Sequence, residues 1–382
     1  MTQIISARLR VEKDLVTRIR RSLKGKGEIK VQVGQQVSPE EIIGSSIVPS
    51  GFRILNLSSL LNVGANRAGK YLIKRLGERI YKGELLAYKG SWFFGGKKIV
   101  IAPTDGVLDF LNEENGELKM TFLPKKVDLP SGVYGIVEDV DVERGVVLIR
   151  TQVSKIYGVC GSGRSRDGIL HILNKKDDLI SKSAILPKYA EHILVGGSIF
   201  YKEAISEAIS VGVGGIIAGG INAADYRGMV GGRIIFPKIF DNDIGITVVV
   251  LEGFGSIPPG DDIFTFFSDY EGKFMIVDGN KAQILLPSFS SSSLTKVKNT
   301  ELPPIRSEGL ILDVGPDNQI LELKVGLKIR IIGSTYLSEQ GTIVAIDDAN
   351  TLLPSGIKTT LVTIETKRRK LKVPVANCEV IL

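Results

Sequence analysis

The stretch HILVGGSIFYKEAISEAISVGVGGIIAGGINAADY, residues 192–226, decides the fold. An apolar run at 193–195 ends in Gly196, Gly197 and Ser198. The segment that follows places Ala204, Ile205, Ala208 and Ile209 on one helical stripe. A second apolar run closes on Gly219, Gly220 and Ile221, then passes into the helix-like start Asn222-Ala223-Ala224-Asp225-Tyr226. Short apolar runs separated by amphipathic segments are the pattern of strands buried on both faces and joined by helical crossovers. Further along, TVVVLEGFG (247–255) reads as a third strand, PPGDDIFTFFSDYEG (258–272) as a third helix and KFMIVDG (273–279) as a fourth strand. This order predicts an α/β layer over residues 177–290, with a mostly parallel sheet and right-handed crossovers.

On either side the text turns to β grammar. GEIKVQVGQQVSPEEIIGSS (27–46), GERIYKGELLAYKG (77–90) and KIVIAPTDGVLDFLNEENGELKM (98–120) are short alternating runs punctuated by glycine and proline. Gly34 with Val37, Gly83 with Leu85 and Leu86, and Ala102 to Val107 give residues 1–125 a resemblance to the barrel-sandwich hybrid of biotinyl and lipoyl domains. In a carrier domain that resemblance implies a modifiable lysine at a hairpin tip. The corresponding stretch here, Tyr88 to Trp92, lacks the flanking motif, so Lys89 reads as a surface lysine and the module as a platform. Residues 126–176 read as a small β segment, with alternation at Val146, Leu148 and Arg150 and a polar boundary at 174–178. Residues 291–320 read as a Ser- and Pro-rich linker and a lead-in strand.

The last segment, 321–382, runs from Val325-Gly326 through KIRII (328–332), Tyr336, Gly341-Thr342-Ile343-Val344 and LVTIE (361–365) to Val380. It resembles a KOW-type, SH3-like barrel of the sort found in NusG-like transcription factors and ribosomal proteins. The resemblance implies a small barrel that binds nucleic acid, a ribonucleoprotein or a protein. The expected fold class is therefore a multidomain α+β protein, with β-barrel-type modules at both ends flanking the central α/β layer.

Composition narrows the functions. Hydrophobic residues at 43% and charged residues at 24% fit a folded chain of several domains. No apolar window reaches the roughly 18 residues of a membrane helix, and the N-terminus meets Arg8 before any apolar signal core forms, so neither a membrane partner nor export is expected. Two cysteines, Cys160 and Cys378, cannot build a disulfide framework or a four-ligand zinc site, and they suit a reducing cytoplasm. With His171 and His192 the sole histidines, a His-based metal site or a Ser-His-Asp triad has almost no raw material. No cofactor and no metal are expected. The net charge of +7 is uneven: residues 1–30 hold nine Lys and Arg against three acids, 321–382 hold nine against six, and 177–290 hold eight against fourteen. A polyanion is drawn to the ends and repelled from the middle.

Four motifs could carry chemistry. Gly64 to Lys70 fits G-x-x-x-x-G-K, but Tyr71 stands where a phosphate loop needs a hydroxyl for magnesium, and no buried strand precedes it. Arg164 and Arg166, in a loop of small residues after Cys160, have the reach to clamp an anion. The strand ends of the α/β layer, with Gly197, Gly219, Gly220, Asn222, Asp225, Glu252 and Gly255, stand where such sheets take ligands, Glu252 as a candidate general base. Strand-to-helix turns need glycine whether or not anything binds. Finally, Lys328, Arg330, Tyr336, Lys367, Arg368, Arg369, Lys370 and Lys372 form a cationic set on the terminal barrel. Few residues look reactive, so the expected function is a non-enzymatic adaptor whose basic ends touch nucleic acid, a ribonucleoprotein or a protein partner. The alternatives are a nucleotide- or anion-binding enzyme or sensor using the glycine-rich strand ends, and a structural subunit of a larger complex.

Overall fold

In a computed structural model the described residues are 4–7, 10–48, 51–90, 96–173, 175–230, 243–302, 319–332 and 334–381. The chain is a mixed α+β protein, rich in strand. It divides into two compact units: Met1–Arg18 with Gly132–Ile136 and Arg150–Leu382, and Ile19–Ser131 with Val137–Ile149. The first unit thus gathers the α/β layer, the C-terminal segment and the start of the chain, which the sequence reading had kept apart.

Its large sheet has a parallel centre. Ser165–Ile172, His192–Val195, Gly215–Ile221 and Thr247–Phe254 lie side by side in parallel. Cys160–Ser162 joins one margin antiparallel, and Phe274–Asp278, Gln283–Pro287 and Val153 to Tyr157 extend the other. Phe274–Asp278, read as the fourth strand of a parallel series, is antiparallel to Ser165–Ile172. The central strands are uniformly apolar because both faces are covered. Leu194, Ile216, Val248 and Val250 pack one way, with Ala204, Ile205 and Ala208 of helix Lys202–Val211 and with Tyr226 of helix Ala223–Met229. Their neighbours Ile193, Val195, Ile217, Val249 and Leu251 pack the other way, with Ile263 and Phe267 of helix Asp261–Ser268.

The C-terminal part is a seven-stranded sheet around a core of Ile329, Ile331, Ile343, Val362, Ile364, Leu371 and Val373. Ile4–Ala7 from the start of the chain enters it, paired antiparallel to Gln319–Glu322 and in parallel contact with Cys378–Val380.

In the second unit, a sheet of Phe52–Asn56, Glu117–Phe122, Gly106–Asn112 and Arg79–Ile80 shares a core with the hairpin Leu85–Lys89 and Lys98–Ile101. A three-stranded sheet of Lys26–Ile29, Ile42–Val48 and Lys125–Pro130 belongs to the same unit. Gly64 to Lys70 falls on a 3-10 helix, Ala65–Tyr71, with the Arg67 and Leu72 amides spent on the carbonyls of Gly64 and Gly69. Those donors are therefore not arranged to wrap a phosphate. The Lys89 ammonium donates to the carbonyl of Asn62 at 3.0 Å, at the end of helix Leu57–Leu61, so this lysine serves as a helix cap. Among the described residues no helix is long and apolar enough to cross a membrane.

Candidate functional site

Two of the sequence candidates, Glu252 and Arg330, meet. In strand Lys328–Ile331, Ile329 and Ile331 enter the C-terminal core, so Lys328 and Arg330 point to the opposite face. At Arg330 that face is covered, and the residue is 1% exposed. Its guanidinium forks onto Glu252, Nη1 to Oε2 at 3.0 Å and Nη2 to Oε1 at 2.8 Å. A second fork meets Asp262, Nε to Oδ2 at 2.7 Å and Nη2 to Oδ1 at 3.0 Å, and Nη1 also reaches Glu379 at 3.4 Å. All five donors of the group are thereby engaged. Burial works against the charge, and the hydrogen bonds and charges of Asp262 and Glu252 more than restore it, raising the pKa of Arg330. Arg10 joins the cluster, with Nη2 3.0 Å from Glu252 and Nε 3.0 Å from Glu379.

This arrangement removes Glu252 from acid-base work. Its Oε1 accepts from Arg330 and from the Gly260 amide at 2.9 Å, and its Oε2 accepts from Arg10 and Arg330. No oxygen is left to take a substrate proton. The strand ends beside it are closed as well. A Cβ on Gly219 would lie 2.1 Å from the Ile257 carbonyl oxygen and 2.5 Å from the Pro259 nitrogen, and one on Gly220 would lie 2.0 Å from the Gly255 carbonyl oxygen. Residues 255–260 thus fold back over the crest, tied by the Ile257 amide to the Ser198 carbonyl at 3.1 Å and by the Ser198 and Ser256 hydroxyls at 2.9 Å. These glycines make room for the protein's own backbone. Gly197, at φ +74°, and Gly255, at φ +104°, occupy left-handed turns. Asn222 caps helix Ala223–Met229, its side chain accepting from the amides of Ala224 and Asp225.

The Arg164 and Arg166 pair also finds an internal anion. Arg166 Nη2 meets both oxygens of Asp243 at 2.7 and 3.0 Å, its Nη1 donates to Thr247 Oγ1 at 3.0 Å, and Arg164 Nε stands 2.9 Å from the same carboxylate. Burial pushes the Asp243 carboxyl up, but the Arg166 hydrogen bond, the Gly245 amide and the two guanidinium charges hold it below the usual carboxylate range. An open cleft of about 270 Å³ lies elsewhere, beside Asp14, Tyr270, Lys273 and Phe289. Lys273 sits 5.5 and 5.2 Å over its two aromatic rings.

The cationic hairpin is different. Leu361–Thr366 and Lys370–Pro374 pair antiparallel around a tight turn, in which Thr366 Oγ1 accepts from the amides of Arg368 and Arg369. Lys367 and Arg368 sit exposed at its tip. Across four adjacent strands Lys328 lies opposite Thr342, Thr342 opposite Glu365 and Glu365 opposite Lys370. This row spans roughly 14 Å on the face away from the core. Lys370 pairs with Glu365 at 3.4 Å and Lys372 with Asp347 at 2.8 Å, exposed contacts that release readily. Arg369 binds Glu339 and lies 4.8 Å over the half-buried Tyr336 ring. Among the described residues no ion pair engages Lys328, Lys367 or Arg368. Of the eight cationic-set residues, Arg330 alone is withdrawn from solvent, because its stretch of the sheet face is covered by Glu252 and Asp262.

Sequence reasoning missed Arg10, Asp262 and Glu379. Each stands in an ordinary local context, and they become partners by meeting across 49 or more residues of chain. No protein-family model matches the chain, and no curated protein is similar to it in sequence.

Proposed function

We propose that the chain is a non-enzymatic binding protein whose C-terminal sheet, read as a KOW-type SH3-like barrel, grips the phosphate backbone of a nucleic acid, alone or within a ribonucleoprotein. The observation that carries this reading is the contrast in how cations are used. Arg10 and Arg330 are buried against carboxylates, whereas Lys328, Lys367 and Arg368 are exposed with no carboxylate in ion-pairing range among the described residues. Cations held on a hairpin tip and along one sheet face satisfy the electrostatic needs of a phosphate track, and they read no base sequence. The second unit, read as a barrel-sandwich hybrid without its modifiable lysine, serves as a platform. The two free cysteines are buried, which suits a reducing, cytoplasmic setting. The closed crest and the saturated Glu252 carboxylate speak against the enzyme or sensor alternative.

The test is fluorescence anisotropy with several short RNA and single-stranded DNA probes of unrelated sequence. The K328S/K367S/R368S variant should lose affinity by a similar factor for every probe. Unchanged binding, or a loss confined to one sequence, contradicts the reading.

A further inference from the structure

Residues 52–101 hold ten Lys and Arg against two acids, a bias matched by an unusual surface. Leu85–Lys89 and Lys98–Ile101 pair with Leu85 opposite Ile101 and Tyr88 opposite Ile99. Leu72 bridges to Ala87 and the Ile73 amide donates to the Leu86 carbonyl at 3.0 Å, so a third extended segment lies alongside. A bulge between Leu85 and Ala87 sends Leu86 and Ala87 into the core with Val100. The outward face is left to Ile73, Leu85, Tyr88, Ile99 and Ile101, which are 54, 38, 38, 62 and 58% exposed. Single exposed hydrophobics are ordinary, but five on one sheet face mark an interaction surface. Arg75, Lys82 and Lys97, exposed on the same segments and in the turns beside them, supply the charge.

We propose that this face seats on the surface of an anionic lipid bilayer, its aliphatic side chains at the acyl boundary and its cations against headgroup phosphates. Charge complementarity selects the occupant. A nucleic acid would use the cations but has no counterpart for four aliphatic side chains, which do not stack on bases as aromatic ones do. A peripheral seat of this kind requires no spanning segment, so the lack of a long apolar helix among the described residues does not bear on it. It is independent of the nucleic-acid reading, which concerns the other unit.

The full chain is sedimented with vesicles of phosphatidylcholine alone and of phosphatidylcholine with phosphatidylglycerol. Binding is expected to the anionic vesicles only. K82S/K97S should weaken it roughly 30-fold and I99S/I101S at least roughly tenfold, with both variants unfolding at the wild-type temperature and keeping RNA affinity. K367S/R368S, run in parallel, should retain vesicle binding. Absence of vesicle binding, equal binding to neutral vesicles, loss of binding in K367S/R368S alone, or loss of RNA affinity in I99S/I101S would each overturn the proposal. So would an acidic protein that depends on Ile99 and Ile101 in a system where vesicles do not bind.

Discussion

Arg330 shows how much a single side chain depends on what is folded over it. Exposed, it would be one more cation in a basic segment; buried at the junction of Glu252, Asp262 and Glu379, it is a structural pin. Removing one partner of a buried pair leaves the others uncompensated, so R330M should lower unfolding free energy by about 3–5 kcal/mol in urea titrations. Wild-type stability in that variant would mean the cluster is not formed. Cys378 offers a second check. Burial pushes its thiol from an ordinary 9.0 up to about 12. A raised folded pKa contributes stability that is present below the unfolded value and lost as pH rises toward the folded one. The Cys378 contribution should therefore fade between about pH 9 and 12, and iodoacetamide should leave Cys378 unlabelled in the native protein at pH 8. Asp243 behaves in the opposite sense, because its carboxyl is held low. Its contribution is present above the ordinary carboxylate value and is lost as pH falls through the lowered one. Carboxyl NMR titration should find the Asp243 midpoint below that of an exposed aspartate, and R166M should move it upward.

At the scale of elements, the loop over the strand ends explains why glycine occurs there without a ligand. G219A places a methyl group against the backbone of Ile257 and Pro259, where no side chain can step aside, and should cost about 1–3 kcal/mol in thermal or urea unfolding. A variant as stable as wild type would mean the crest is open. The helices and strands between 192 and 278 were legible in the sequence because their apolar runs are buried on both faces and their amphipathic stripes are clear. Ser165–Ile172 was legible as a strand but was assigned to a separate segment. Its Ser165, Asp167 and Ile169 remain exposed, so nothing local marks it as a member of the parallel centre. Ile4–Ala7 is a similar case, since its partners lie at the far end of the chain. Alternation around Ile329 and Ile331 puts Lys328 and Arg330 on one face, but only tertiary packing determines that Lys328 stays exposed while Arg330 does not.

For the molecule as a whole, charge is partitioned by use. Carboxylates of the α/β layer neutralise the buried guanidiniums of Arg10 and Arg330, and Asp243 pairs with the exposed Arg164 and the partly buried Arg166. The hairpin of the C-terminal sheet offers a polyanion a cluster of exposed cations in that unit. Such a protein binds through counterion release, which has a quantitative signature in its salt dependence. The decisive measurement is the slope of log affinity against log salt for a single-stranded RNA, taken on the full chain and on K328S/K367S/R368S. If these three cations each neutralise one phosphate, the variant's slope should be shallower by about 2 to 3. Identical slopes for the two proteins, or no RNA binding by the wild-type chain at low salt, would contradict it.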